Sequence, residues 1–480
     1  MTDARRMSVV RLLTLMLTSA ALLAAAAGCQ VNPVTGQQQL NFISDQQALQ
    51  LGDREHPNVV SSYNGTMDMP ELNSYLSDIV IRIHSNSHTP DMPVDFTLLN
   101  SSVVNAFALP GHVYATRGFV AKVENEAQFA AVMGHEMAHV SAGHVAQQMS
   151  RQTLSSLGLT VAGMALGGDT ATAQGAMQAA QLGTGLINLS YSRAQERQAD
   201  RAGTYYAALS GWDPRAALEV QKLIHDVEQQ EQAVLAKYLS THPPLSERLD
   251  AIQSAIREKD MERYVQSGGL FKERWEQKTA ELEKIHEAYK PYDEGEKALR
   301  EGNAQKALQK AEEAIGMRQD QAPFYRLKGD ALQKLGKLEE ARKAYQKALE
   351  LDEDYVQTRV SMGELNLRQG QNEKAVGQFE RALRAYPSSV AAHWGLGQAK
   401  MNLGQYGEAA DSLERVASAV PQAPQAHYLL GACYERTGRP VQAYRQYRAA
   451  VEQGLSGDRQ QKARQRMQSL ESQVRDSRRR

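Results

Sequence analysis

The chain has 480 residues, 42% hydrophobic and 23% charged, with 54 Lys and Arg against 55 Asp and Glu. That length exceeds one ordinary core, so two or three domains are expected. The near-neutral balance gives no footing for nucleic-acid binding, and a count of 2 cysteines leaves no internal disulfide network.

The N-terminus reads as a targeting segment, residues 1–28, kept apart from fold reasoning. Arg5, Arg6 and Arg11 precede an apolar run from Leu12 to Ala27, which is short for a membrane span. Ala26, Ala27 and Gly28 then lead directly to Cys29. This resembles a bacterial lipoprotein signal, which implies lipidation at Cys29; the alternative is an ordinary secretory signal with an incidental cysteine. Gln30 in the next position implies, by the same resemblance, the inner face of the outer membrane. Cys433 lies in a helical repeat and is read as a small buried apolar residue.

Residues 29–45 carry Pro, Gly and four Gln and are expected to be a leader or tether. Helical patterning starts near Gln46 and continues, with a break around Pro57 to Asn64, through Pro70 to His84. Val94 to Leu99 is β-rich. Val103 to Leu109 and His112 to Thr116 flank a Pro110-Gly111 turn, which predicts a hairpin or a small antiparallel sheet. His112 is expected in a surface loop.

One helix is predicted over Asn125 to Met149, with Asn125 as N-cap, Gln128 completing a capping box, and Phe129, Val132, Met133 and Val140 on its apolar side. It carries His135-Glu136-Met137-Ala138-His139. Residues four apart share a helix face, so His135 and His139 can aim two imidazoles at one point with Glu136 beside them. This is the H-E-x-x-H pattern of zinc peptidases. On an unbroken helix His144 lies about 180° from His135, so it is expected to face away.

Residues 152–189 are rich in Gly, Ala, Leu and Thr and read as a helical hairpin covering the catalytic domain, or else as a membrane-contacting element. A second catalytic helix begins near Tyr191, Ser192 and Arg193. A catalytic zinc keeps three protein ligands, and Glu196 is the candidate for the third. Asp200, one turn on, can accept a hydrogen bond from the far nitrogen of a ligand histidine. Ser240-Thr241-His242-Pro243-Pro244 forms a stiff loop. His242 stabilises a tetrahedral intermediate, plugs the open zinc position, or merely packs; Arg248 binds an oxyanion or a carboxylate.

From about residue 288 the chain repeats with period 34. Gly295, Gly329, Gly363, Gly397 and Gly431 are in register, as are Ala307, Ala341, Ala375, Ala409 and Ala443. This resembles the tetratricopeptide repeat, in which small residues let paired helices approach. Five units over 288–457 and a polar cap over 458–480 are expected, and the final Arg478, Arg479 and Arg480 read as a solvated terminus.

HEMAH with a downstream Glu196 and Asp200 resembles the gluzincin-type zinc metallopeptidases, specifically the HtpX- and BepA-like family. Asn32-Pro33-Val34-Thr35-Gly36, Asn105 to Gly111, and the His242 loop with Arg248 carry the likeness further. His112 stands where that family usually shows a second glycine.

The resemblance implies an α+β, mainly helical chain. Residues 46–265 would be a metallopeptidase domain with a small antiparallel sheet, and 266–287 a connecting helix to an all-α solenoid. It implies one zinc ion held by His135, His139 and Glu196, with Glu136 as general base. It also implies that substrate pairs along Asn105, Ala106, Phe107, Ala108 and Leu109. Misfolded or stalled envelope proteins would be substrates, and the repeats would meet assembly machinery at the membrane. The competing reading is a chaperone-like adaptor with a silent site. A further alternative is an integral-membrane protease that uses 152–189.

Overall fold

The computed structural model describes residues 29–151, 190–230, 242, 246–264 and 269–477. The expected targeting segment 1–28, the expected hairpin 152–189, the rest of the His242 loop and the Arg478–Arg480 tail lie outside them. The chain divides into two units, one running to Val59 and from Thr66 to His286, the other comprising Val60–Gly65 and Glu287–Arg480.

In the first unit, the expected tether is folded. β1 (Cys29–Val31) pairs antiparallel with β2 (Gln38–Leu40). The turn between them is closed by Asn32, whose Oδ1 accepts the backbone N–H of Val34 at 2.9 Å and of Thr35 at 3.3 Å. α1 (Asp45–Ser62) runs through Pro57, so the expected break comes later, at Asn64 and Gly65 with positive φ. α2 (Pro70–Ser85) starts on its proline, where no N–H is needed.

β3 (Asp95–Leu99), β4 (Ala106–Leu109) and β5 (His112–Thr116) form one sheet in the order β3-β5-β4. β4 and β5 make the expected hairpin, but β3 joins β5 in parallel, so the sheet is mixed rather than antiparallel. His112 is a buried strand residue, not a loop residue. Its Nε2 lies 2.9 Å from Asp53 on α1 and its ring stacks on His56.

α3 (Glu126–Ser141) packs on this sheet and is buried along its whole length. Asn125 caps it by accepting Gln128 N–H at 2.9 Å; the Gln128 side chain accepts from Glu124 N–H instead of closing the box. Glu126 anchors the same end, taking hydrogen bonds from Tyr75, Trp212 and Arg274. The helix predicted to reach Met149 stops at Ser141. Ala142 and Gly143 form a turn, with Gly143 at φ +64°, and a new helix covers 144–151.

α4 (Arg193–Leu209) opens on a full Ser192/Gln195 capping box, a signal absent from the sequence-based expectations. α5 (Ala216–Gln230) and α6 (Ser246–Glu258) follow.

The second unit is a row of antiparallel helix pairs. α7 (Lys272–Arg300) belongs to the first unit up to His286 and to the second from Glu287, so the expected connecting helix and the first repeat helix are one element. Further pairs run from Ala304–Met317 through Ala322–Lys334 and Leu338–Leu351 to Pro424–Arg436 and Pro440–Glu452, capped by Gly457–Ser477. The small-residue columns lie in their cores: Ala307, Ala341, Ala375, Ala409 and Ala443 are all fully buried. Among the described residues, no helix is long and apolar enough to cross a membrane.

Candidate metal centre

α3 and α4 meet backbone to backbone at Gly134 and Gly203. A Cβ on Gly203 would lie 2.5 Å from the Gly134 carbonyl carbon. Only glycine at both positions lets the helices come this close. The approach brings Glu196, near the start of α4, to the face that carries His135 and His139.

His135 Nε2 and His139 Nε2 lie 3.0 Å apart. Glu196 offers Oε2 at 3.5 Å from the first and Oε1 at 3.6 Å from the second. His242 enters the same point, with Nδ1 at 3.0 Å from Glu196 Oε1 and 3.4 Å from His135 Nε2. One ligand atom from each of these four residues lies within 4.8 Å of the others, and all four residues are buried. This is the one such cluster among the described residues.

These residues fit a divalent cation. Two imidazole nitrogens face each other at hydrogen-bond distance where at least one must be a bare lone pair. Glu136 Oε1 is buried and accepts no well-formed hydrogen bond, and Glu196 Oε2, also buried, has Arg248 Nη1 at 3.2 Å and His135 Nε2 at 3.5 Å. Buried carboxylate oxygens and imidazole lone pairs that converge on one point are costly unless a cation joins them. Two histidines and a carboxylate beside an open position form the donor set of catalytic zinc.

The far nitrogen of His135 is held from behind. Its Nδ1 lies 2.9 Å from Asp200 Oδ1. Arg248 grips Asp200 with two hydrogen bonds, Nε to Oδ2 at 2.8 Å and Nη2 to Oδ1 at 2.7 Å, and its Nη1 lies 3.2 Å from Glu196. Of the alternatives open for Arg248, its partners here are carboxylates. Burial pulls the His135 imidazole down, but hydrogen bonds to Asp200 and Glu196 outweigh it and hold it up at about 9. Burial raises Glu136, against the opposing pull of His242 and His135. Burial also works to raise Glu196, yet His242 and His135 hold it well below the usual carboxylate range.

His144 does not face away. The turn at Gly143 reorients the following helix, so its ring is buried with Nδ1 at 2.8 Å from His139 Nδ1. It is absent from the converging group of four. Burial lowers its pKa to about 4, so it stays neutral. Tyr191, which no motif singles out, packs its ring on His139 with centroids 3.9 Å apart. Its place just ahead of the Ser192 cap was the available signal. β4 lies at the sheet edge, and the side chains of Ala106, Phe107, Ala108 and Leu109 are buried. Asn105, just before it, is also buried.

A buried H-E-x-x-H helix with a glutamate from a second helix beside it is the arrangement found in zinc peptidases, here in a chain that continues into helical repeats. Residues 70–256 match the model of peptidase family M48, and 320–388 and 396–457 match tetratricopeptide-repeat models. The chain thus carries a peptidase family M48 domain followed by tetratricopeptide repeats.

Among curated proteins, it is 29% identical over 228 residues to the beta-barrel assembly-enhancing protease of Escherichia coli (strain K12), covering 45% of each chain. It is 31% identical over 158 residues to the protein of that name from Yersinia pestis, 31% of each. It is 26% identical over 247 residues to mitochondrial metalloendopeptidase OMA1 of Schizosaccharomyces pombe, covering 51% of this chain and 70% of that one. The chain spans about half the length of the first of these relatives (45%). Among solved structures, the crystal structure of MamA aligns with 33% of this chain and 93% of its own, at 19% identity and a TM-score of 0.30.

Proposed function

We propose that this chain is a zinc-dependent endopeptidase of the bacterial cell envelope. It acts on misfolded or stalled outer-membrane or periplasmic proteins, and its repeats recruit substrate or assembly partners. The observation that carries the reading is the convergence of His135, His139 and Glu196 beside a buried Glu136 carboxylate oxygen that accepts no hydrogen bond. The name shared by its bacterial relatives, beta-barrel assembly-enhancing protease, supports the setting.

In this reading His135, His139 and Glu196 hold the zinc. Bound there, the ion supplies Lewis acidity, polarising a carbonyl and making a water more acidic. Glu136 takes the proton of the attacking water at Oε1 and passes it to the leaving amine. Asp200, clamped by Arg248, keeps the His135 Nε2 lone pair turned inward. The substrate backbone adds to the sheet along Asn105–Leu109.

Zinc content and casein cleavage are the test. Glu136→Gln is expected to keep its zinc and to lose cleavage by about a hundredfold or more; equal cleavage by wild type and variant would remove the enzyme reading. A lipid on Cys29 anchors the chain, so Cys29→Ser is expected to move it from the membrane fraction to the soluble one. Retention of that variant in membranes through carbonate extraction would refute the anchor.

A second reading, a largely latent protease that serves as an assembly factor, is favoured by His242. Its Nδ1 stands among the ligands at 3.0 Å from Glu196, where a fourth protein ligand would fill the position a substrate needs.

A further inference from the structure

The Asn32-Pro33-Val34-Thr35-Gly36 turn has no place in the chemistry above, yet a chain of side chains runs from it to a metal ligand. His139 turns Nε2 toward His135 and Glu196. A metal-binding Nε2 puts the ring proton on Nδ1, which points at His144 Nδ1, 2.8 Å away. His144 must then accept at Nδ1 and carry its own proton on Nε2, which faces Gln198 Oε1 at 3.4 Å. With its oxygen so engaged, Gln198 donates from Nε2 to Asn32 Oδ1 at 3.2 Å. Asn32 Oδ1 is fixed in turn by the N–H groups of Val34 and Thr35. In this arrangement each step pairs one donor with one acceptor and all the donors point the same way, with half-buried Gln198 as the middle link. Asn32 and His144 are buried, so water does not compete for their side chains.

The hairpin also grips the turn that sets His144. Gln39 Nε2 donates to Ala142 O at 3.2 Å, Gln147 Nε2 to Gln39 Oε1 at 2.6 Å, and Phe42 N to Ser150 Oγ at 2.9 Å. The two ligand histidines are thus supported differently. His135 leans on the charged Asp200–Arg248 pair, and His139 on a neutral relay that ends in the N-terminal hairpin.

We infer that Asn32 is a positioning residue for the metal site, acting through Gln198 and His144 to fix the orientation and tautomer of His139, so that the β1–β2 hairpin is part of the metal centre. The inference rests on the zinc reading of the four converging groups. Outer partners of ligand histidines typically set about 10- to 100-fold in metal affinity.

The test uses the full chain. Zinc affinity is measured by chelator competition, and the cobalt(II)-substituted protein is read by its visible absorption band, for wild type, Asn32→Ala, Asn32→Asp, Gln198→Ala and the double variant Asn32→Ala/Gln198→Ala. Asn32→Ala is expected to weaken zinc binding about tenfold and to shift the cobalt band. Asn32→Asp keeps an oxygen in place and is expected to restore both. The double variant should lose no more than the larger single loss, because both residues serve one chain. Unchanged affinity and spectrum in Asn32→Ala would overturn the relay, as would a loss that Asn32→Asp does not recover. Additive losses would overturn it as well. A wild type that binds no zinc would overturn the metal reading along with it, whereas failure of the relay alone leaves wild-type zinc binding intact.

Discussion

At the scale of single residues, the candidate ligand set is legible in the sequence and its support is not. His135, Glu136 and His139 follow from helix geometry alone, and Glu196 from the need for a third ligand. Which group stands behind each imidazole depends on chain segments far apart in sequence. Asp200 can be placed from its spacing to Glu196, whereas its clamp Arg248 comes from a later helix, 48 residues on. The expectation for His144 fails because a helical wheel assumes an unbroken helix, and Gly143 at φ +64° ends it. His242 is the residue whose role matters most for activity. Its Nε2 lies 3.5 Å from Glu136 Oε1 while Nδ1 meets Glu196, so it stands beside both the proposed base and a proposed ligand. If it fills the substrate's position, His242→Ala should raise the rate of casein cleavage severalfold at constant zinc content. An unchanged or lower rate would rule out the plug and leave His242 an aid to catalysis or a packing residue.

At the scale of elements, pattern and cap indicate where helices start better than where they stop. Asn125 opens its helix as expected, Pro70 opens another, and Ser192 caps a third with a capping box of its own. The mixed sheet is beyond sequence reading. The Pro110-Gly111 turn announces a hairpin, but nothing local to Asp95–Leu99 says whether it joins in parallel. The crossing of α3 and α4 is likewise invisible until Gly134 and Gly203 are seen in contact.

That contact makes a direct prediction. Gly203→Ala would push a methyl carbon to 2.5 Å from backbone atoms that cannot turn aside, and should destabilise the first unit by about 1–3 kcal/mol or more. Gly377 lies inside Asn372–Ala385 with nothing within 4 Å of its missing Cβ. Gly377→Ala should therefore stabilise its helix by about 0.5–1 kcal/mol. Denaturant unfolding of the two variants checks the opposite signs; two shifts of the same sign would refute the packing account.

At the scale of the whole molecule, the period of 34 is enough to announce the repeats, because each unit must bury the same small residues against its neighbour. The chain's division into two units implies two unfolding events. Among the described residues, the cluster that could hold a metal lies in the first unit, and a metal that binds the folded state alone stabilises it by mass action. In calorimetry, a zinc chelator should lower one transition temperature and leave the other in place. A chelator that moves neither transition would argue against zinc as a structural partner of that unit.

The sequence by itself determined the residues that can meet a metal and the architecture of the repeats. Both are periodic features: a spacing of four on a helix and a recurrence of small residues. Tertiary structure alone decided what surrounds those ligands. The N-terminal hairpin, with a composition that reads as a tether, folds against the helix after Gly143, and Asn32 reaches Gln198 across 166 positions. Hydrogen bonds of that separation are set by how helices and turns pack, and no local pattern of residues encodes them.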